Sequence, residues 1–164
     1  MSTADAVSRE AAWLSITDDS LPALLAPAGG PWDVVQPWWP GARERTQAHG
    51  IYVLARTIAD ERVSNQRIRS QYDLILTCVW PVKGAGGNAP LAEGEQQALA
   101  DATDLVLQRI RGPVGDKTHG GRFLSVGEVR HPVVTLEDPA ITIPANRVLR
   151  QSIIYAADDY EISG

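Results

Sequence analysis

Ile68-Arg-Ser-Gln-Tyr-Asp-Leu-Ile-Leu-Thr-Cys-Val-Trp-Pro-Val82 is the stretch that sets the fold class. Its even positions Tyr72, Leu74, Leu76, Cys78 and Trp80 are all apolar. Its odd positions are polar from Arg67 to Asp73 and mixed at Ile75, Thr77 and Val79. Side chains of a strand alternate between its two faces. The pattern therefore predicts a strand with one buried face at its start and cover on both faces in its second half, ended by Pro81.

Upstream, Gly50-Ile-Tyr-Val-Leu-Ala-Arg56 is a second β-rich run, joined to the first through Ala59-Asp-Glu-Arg-Val-Ser-Asn65, which reads as a wide turn. Downstream, Gly84 to Pro90 is a loop, and Leu91 to Arg111 is the best helix in the chain. There Leu99, Ala102, Val106 and Ile110, joined by Ala98 and Leu105, make one apolar stripe. Glu93 and Glu95 fall in the expected first turn and Arg109 and Arg111 in the last, the order the helix dipole favours. Gly112-Pro113 stops the helix.

A polar loop, Val114 to Gly121, follows. Arg122–Val129 and Val133–Leu136 are short strand candidates, parted by a turn at Arg130-His-Pro132. Glu137-Asp-Pro139 is another turn, Val148–Ala156 a last strand, and Asp158-Asp-Tyr-Glu161 an acidic tail. At the other end, Ala6 to Leu25 reads as a short helix and a turn. Trp32–Gln36 reads as a short strand that its flanking prolines confine to an edge or a loop. The order predicts one α+β domain over residues 1–164. Its sheet is expected to be mostly antiparallel, with one long helix packed on it and a short N-terminal helix.

Composition narrows the function. The chain has 164 residues and a net charge of −5, an acidic balance that argues against non-specific nucleic-acid binding. One cysteine, Cys78, excludes an intrachain disulfide framework and fits a reducing compartment. No stretch approaches a membrane span, and the N-terminus lacks a secretory pattern, so the expected setting is the host cytoplasm or something assembled there. Arginine outnumbers lysine 13 to 2, and there are 5 tryptophans against 1 phenylalanine. Arg and Trp are enriched at interface hot spots, and GC-rich coding DNA also inflates arginine.

No catalytic constellation assembles. Cys78 falls on the apolar face of a strand, where a thiol is inert packing. His49, His119 and His131 each lack a second ligand at helical spacing. Ser125 lacks the glycine of a nucleophile elbow, and neither nucleotide-binding glycine pattern occurs. The densest polar segment is Asp116, Lys117, His119 and Arg122, set among Gly115, Gly120 and Gly121. It reads either as a tight helix-to-strand connection or as a contact loop presented to another chain. Pro37-Trp38-Trp39-Pro40 reads either as cover for a sheet edge or as an exposed interface patch. Trp13, Trp32 and Trp80 are ordinary core candidates.

Three stretches carry a family resemblance: Gln96-Gln-Ala-Leu-Ala-Asp-Ala-Thr-Asp-Leu-Val-Leu-Gln-Arg-Ile-Arg-Gly112, Asp116-Lys-Thr-His-Gly-Gly-Arg-Phe-Leu-Ser-Val-Gly-Glu128 and Ala156-Ala-Asp-Asp-Tyr-Glu-Ile162. Together they resemble the tail terminator proteins of long, non-contractile-tailed phages of actinobacteria. The resemblance implies a structural virion protein with no enzymatic activity and no cofactor. It implies a ring, typically a hexamer, on the head-proximal end of the tail tube. There it would end tube polymerisation and join the tail to the head–tail connector in the neck. The implied partners are further copies of itself, the major tail tube protein and the connector protein. Genomic DNA would pass through the lumen without specific binding, and no membrane is involved. Another neck-ring protein, a head–tail stopper or adaptor, is the nearest alternative.

A cyclic ring needs two different complementary patches on each subunit. Asp116, Lys117, His119, Arg122, Trp38 and Trp39 are the expected subunit or tube contacts. An acidic lumen would repel phosphate and let DNA slide, and Asp60 and Glu61 in the wide turn are the expected lumen-facing residues.

Overall fold

The structure, a computed structural model, describes residues 2–17, 21–40, 48–64, 67–82 and 89–162. The fold is α+β with a mixed sheet. Its elements are α1 (Thr3–Ser15), β1 (Val34–Pro37), β2 (Gly50–Arg62), β3 (Arg67–Pro81), α2 (Ala89–Arg111), β4 (Ser125–Val126), β5 (Val133–Leu136), α3 (Pro139–Asn146) and β6 (Val148–Ile162). The long strands β2, β3 and β6 lie side by side and antiparallel. β1 runs parallel to β2 at one edge, while β4 and β5 both pair with β6 at the other.

The alternation in β3 decides which face is covered. Tyr72, Leu74, Leu76, Cys78 and Trp80 are buried in one core with Ile51 and Val53 of β2 and Leu149, Ile153 and Tyr155 of β6. The α1 residues Val7, Ala11, Trp13 and Leu14 and the α2 stripe Leu99, Ala102, Val106 and Ile110 close that core. Ala98, expected in the stripe, is exposed. The opposite face carries a smaller apolar group, Tyr52, Val79 and Val148. Trp13, Trp32 and Trp80 are all buried. The Trp32 and Trp80 indoles meet edge to face at 5.2 Å.

Helix α1 starts on a reciprocal capping box, Ser2 with Asp5, and ends at Ser15, earlier than the expected span. Helix α2 starts at Ala89, so Glu93 and Glu95 lie beyond its first turn, while Arg109 and Arg111 do fall in the last. The expected stop at Asp18-Asp19-Ser20 and most of the Gly84–Pro90 loop lie outside the described residues.

Three expectations are corrected. The wide turn is largely strand: β2 runs on to Arg62, past an irregularity at Thr57/Ala59, paired with β3. The acidic tail is also strand, because β6 pairs with β3 as far as Ile162. The far parts of β2, β3 and β6 form a three-stranded arm, in which Arg56–Arg62 of β2 are exposed. Lastly, Pro139–Asn146 is a third helix, capped by the Asp138 carboxylate accepting from the Ala140 amide. Its eight residues hold two prolines and no apolar stripe, which hides it from periodicity.

Candidate interaction surface

The 112–122 loop is tied down from within. The Asp116 carboxylate accepts from the Thr118 amide at 2.8 Å, the Thr118 hydroxyl at 2.6 Å and the Gly120 amide at 2.9 Å. The Thr118 hydroxyl bond first, then the two amides, hold the Asp116 carboxyl below the usual carboxylate range. His119 adopts a positive φ of 51° and is fully enclosed. Gly120 follows with φ 66°, and a Cβ there would stand 2.9 Å from the Arg122 guanidinium.

His119 lies at the centre of a buried cluster. Its Nδ1 is 2.6 Å from the Glu10 carboxylate and its Nε2 is 2.6 Å from the Ile110 carbonyl oxygen. The other Glu10 oxygen accepts from the Tyr155 hydroxyl. The ring stacks on Trp13, whose indole N–H donates to the Arg109 carbonyl at 2.9 Å. Arg109, itself enclosed, donates its guanidinium to the Trp13 and Ile16 carbonyls at the end of α1. A cation there satisfies orphan carbonyls and complements the α1 dipole.

The expected contact residues therefore divide. His119 and Asp116 are committed inside the chain, the first by burial and the second by its own loop. Arg122 bonds back to the His119 carbonyl and lies over Trp13 at 5.7 Å. Lys117 is exposed, 3.8 Å from an equally exposed Glu128, a pair worth little in water. A cleft of about 980 Å³ opens beside them, between the end of α2, residues 112–117 and the 126–132 turn. Leu107, Ile110 and Val126 give it apolar lining, and Lys117, Glu128 and His131 give it polar groups.

Trp38 and Trp39 follow the edge strand β1 and are 45% and 43% exposed. Trp38 has a positive φ of 68°, and Trp39 meets Tyr52 edge to face at 4.8 Å. At the opposite edge, β5 leaves Val133, Val134 and Leu136 exposed. Asp60 and Glu61 are consecutive residues of β2, opposite Ser70 and Arg69, so they point to opposite faces of the arm. Asp60 accepts from the Ser70 hydroxyl at 2.7 Å.

Two charged groups escaped the sequence reading. The Asp73 carboxylate, on the face away from α1 and α2, takes Arg56 at 2.9 Å and Arg130 at 2.6 Å. Asp158 takes Arg69 at 2.9 Å. Neither grouping has a motif, because strand register and the 130 turn bring the residues together. Among the described residues no three His, Cys, Asp or Glu side chains converge as a metal site, and no helix is long and apolar enough to cross a membrane. No protein-family model matches the sequence, and no curated protein matches it.

Proposed function

We propose that the chain is a tail terminator subunit, a structural protein that forms a ring on the head-proximal end of a phage tail tube. The observation that carries this reading is the pair of unlike apolar edges on one sheet. Trp38 and Trp39 stand beside β1, and Val133, Val134 and Leu136 stand on β5 at the other end of the strand order. A cyclic ring is built from such heterologous contacts, with one edge of each subunit meeting the other edge of the next. Among the described strands, a sheet antiparallel at every pairing but β1–β2, backed by a long helix, fits the same reading.

In this reading the chain acts without a cofactor and without a catalytic step. Its partners are its own copies, the tail tube protein and the head–tail connector, with DNA sliding through the lumen. Assembly takes place in the host cytoplasm, and the product is the virion neck. Lys117, Arg122, Trp38 and Trp39 remain as the contact residues. Adding the purified chain to polymerising tail tube protein tests it: tubes should stop growing and carry the chain at one end. Tubes that keep growing would point to a stopper or adaptor ring instead.

A further inference from the structure

Both ring nitrogens of His119 face acceptors, a Glu10 carboxylate oxygen and the Ile110 carbonyl, each at 2.6 Å. A neutral imidazole has one N–H and one lone pair. Either tautomer therefore presses a lone pair against an oxygen. Tyr155 gives its only hydroxyl proton to the other Glu10 oxygen and has none to spare. The contacts close only if the cluster holds one more proton than a carboxylate and a neutral imidazole supply. An imidazolium beside a carboxylate and a neutral ring beside a carboxyl have the same proton count.

We propose that Glu10 and His119 share one buried proton, and that this proton is a latch holding α1 to the 112–122 loop. Four elements meet at the pair: α1 through Glu10, the loop through His119, β6 through Tyr155 and α2 through the Ile110 carbonyl. Removing the proton leaves one ring nitrogen's lone pair against an oxygen in a fully enclosed site, Nδ1 against the Glu10 carboxylate or Nε2 against the Ile110 carbonyl, a repulsion that moving the loop away from the helices relieves.

The surroundings favour retention. Asp116 in the loop attracts the proton, and Tyr155, with Cys78 of β3 beside it, stays a neutral donor. Arg109 of α2 and Arg122 of the loop, both over the Trp13 ring, are the opposing cations. Burial alone would drive the proton off His119; the Glu10 charge and bond, with the Ile110 carbonyl, outweigh it and raise the imidazole above its ordinary 6.5. The latch is thus fully closed below that value and opens as pH rises through the higher folded one.

Nitrogen NMR of the imidazole, recorded on the unmodified chain across a pH series, tests this when paired with amide exchange in α1 and α2. His119 should titrate above 6.5. Between 6.5 and its midpoint the ratio of α1 to α2 exchange should rise, by up to about tenfold per pH unit, and then level off above it, the mark of one proton lost per opening. In Glu10→Gln the midpoint should fall and the dependence flatten. If that variant does not fold, the wild-type titration decides by itself. A ratio that ignores pH through the His119 midpoint, or a midpoint at or below the ordinary value, overturns the proposal.

Discussion

The indole of Trp13 stacks on the imidazole of His119, ring centroids 4.7 Å apart and planes 16° from parallel. This contact joins the first helix to the loop after the second. It makes the loop part of the core, although its composition is that of a surface turn.

Trp13→Ala should cost about 3–5 kcal/mol, the range for deleting a buried aromatic ring. Trp13→Phe keeps the stack but loses the bond to the Arg109 carbonyl, a loss of about 1 kcal/mol. Urea unfolding followed by circular dichroism separates the two.

Asp116 sets the acid side of loop stability. A carboxyl whose folded value lies below its ordinary 3.8 stabilises the chain above that value and loses the contribution as pH falls through the folded one. Asp116→Ala should remove this acid dependence and loosen the loop by about 1–2 kcal/mol. Amide exchange at Thr118 and Gly120 in mild acid reads both effects.

Asp73→Ala removes an enclosed carboxylate that two arginines share. Arg56 and Arg130 are half exposed or more, so water recovers part of their loss. The expected cost is about 1–2 kcal/mol, measured by chemical unfolding. A variant as stable as the parent would mean that the two ion pairs contribute nothing net.

Cys78 is buried, and burial pushes its thiol up to about 12. The native chain should therefore resist a thiol reagent at neutral pH, while the unfolded chain reacts at once. Rapid labelling of the native chain would contradict the placement of Cys78 in the core.

Trp38→Ala should leave the fold intact, since the side chain is half exposed, yet weaken ring formation. Trp39→Ala additionally loses the Tyr52 contact, about 0.5–1.5 kcal/mol beyond simple burial. Light scattering of the variants reads ring formation, and thermal unfolding reads the fold.

The core was legible in the sequence where a single period runs unbroken. Tyr72 to Trp80 and Leu99 to Ile110 are such runs, and they bury Tyr72, Leu74, Leu76, Cys78 and Trp80 of the one and Leu99, Ala102, Val106 and Ile110 of the other. The arm was not, because its residues carry no apolar alternation: Ala59–Arg62 and Asp158–Ile162 are held by backbone pairing with β3. The cluster around His119 left no local signal either. Glu10, His119 and Tyr155 are far apart in the chain, and only the packing of α1 over the sheet and against the loop joins them. Asp116, Lys117, His119 and Arg122 stood out by composition, but composition does not tell a loop that faces a partner from one that faces its own core.

Imaging of the virion neck by electron microscopy tests the central claim most directly. The expected image is a six-fold ring of this chain between the tail tube and the connector, with the edge carrying Trp38 and Trp39 against the β5 edge of the next copy. A neck whose tube meets the connector with no copy of the chain between them would contradict it.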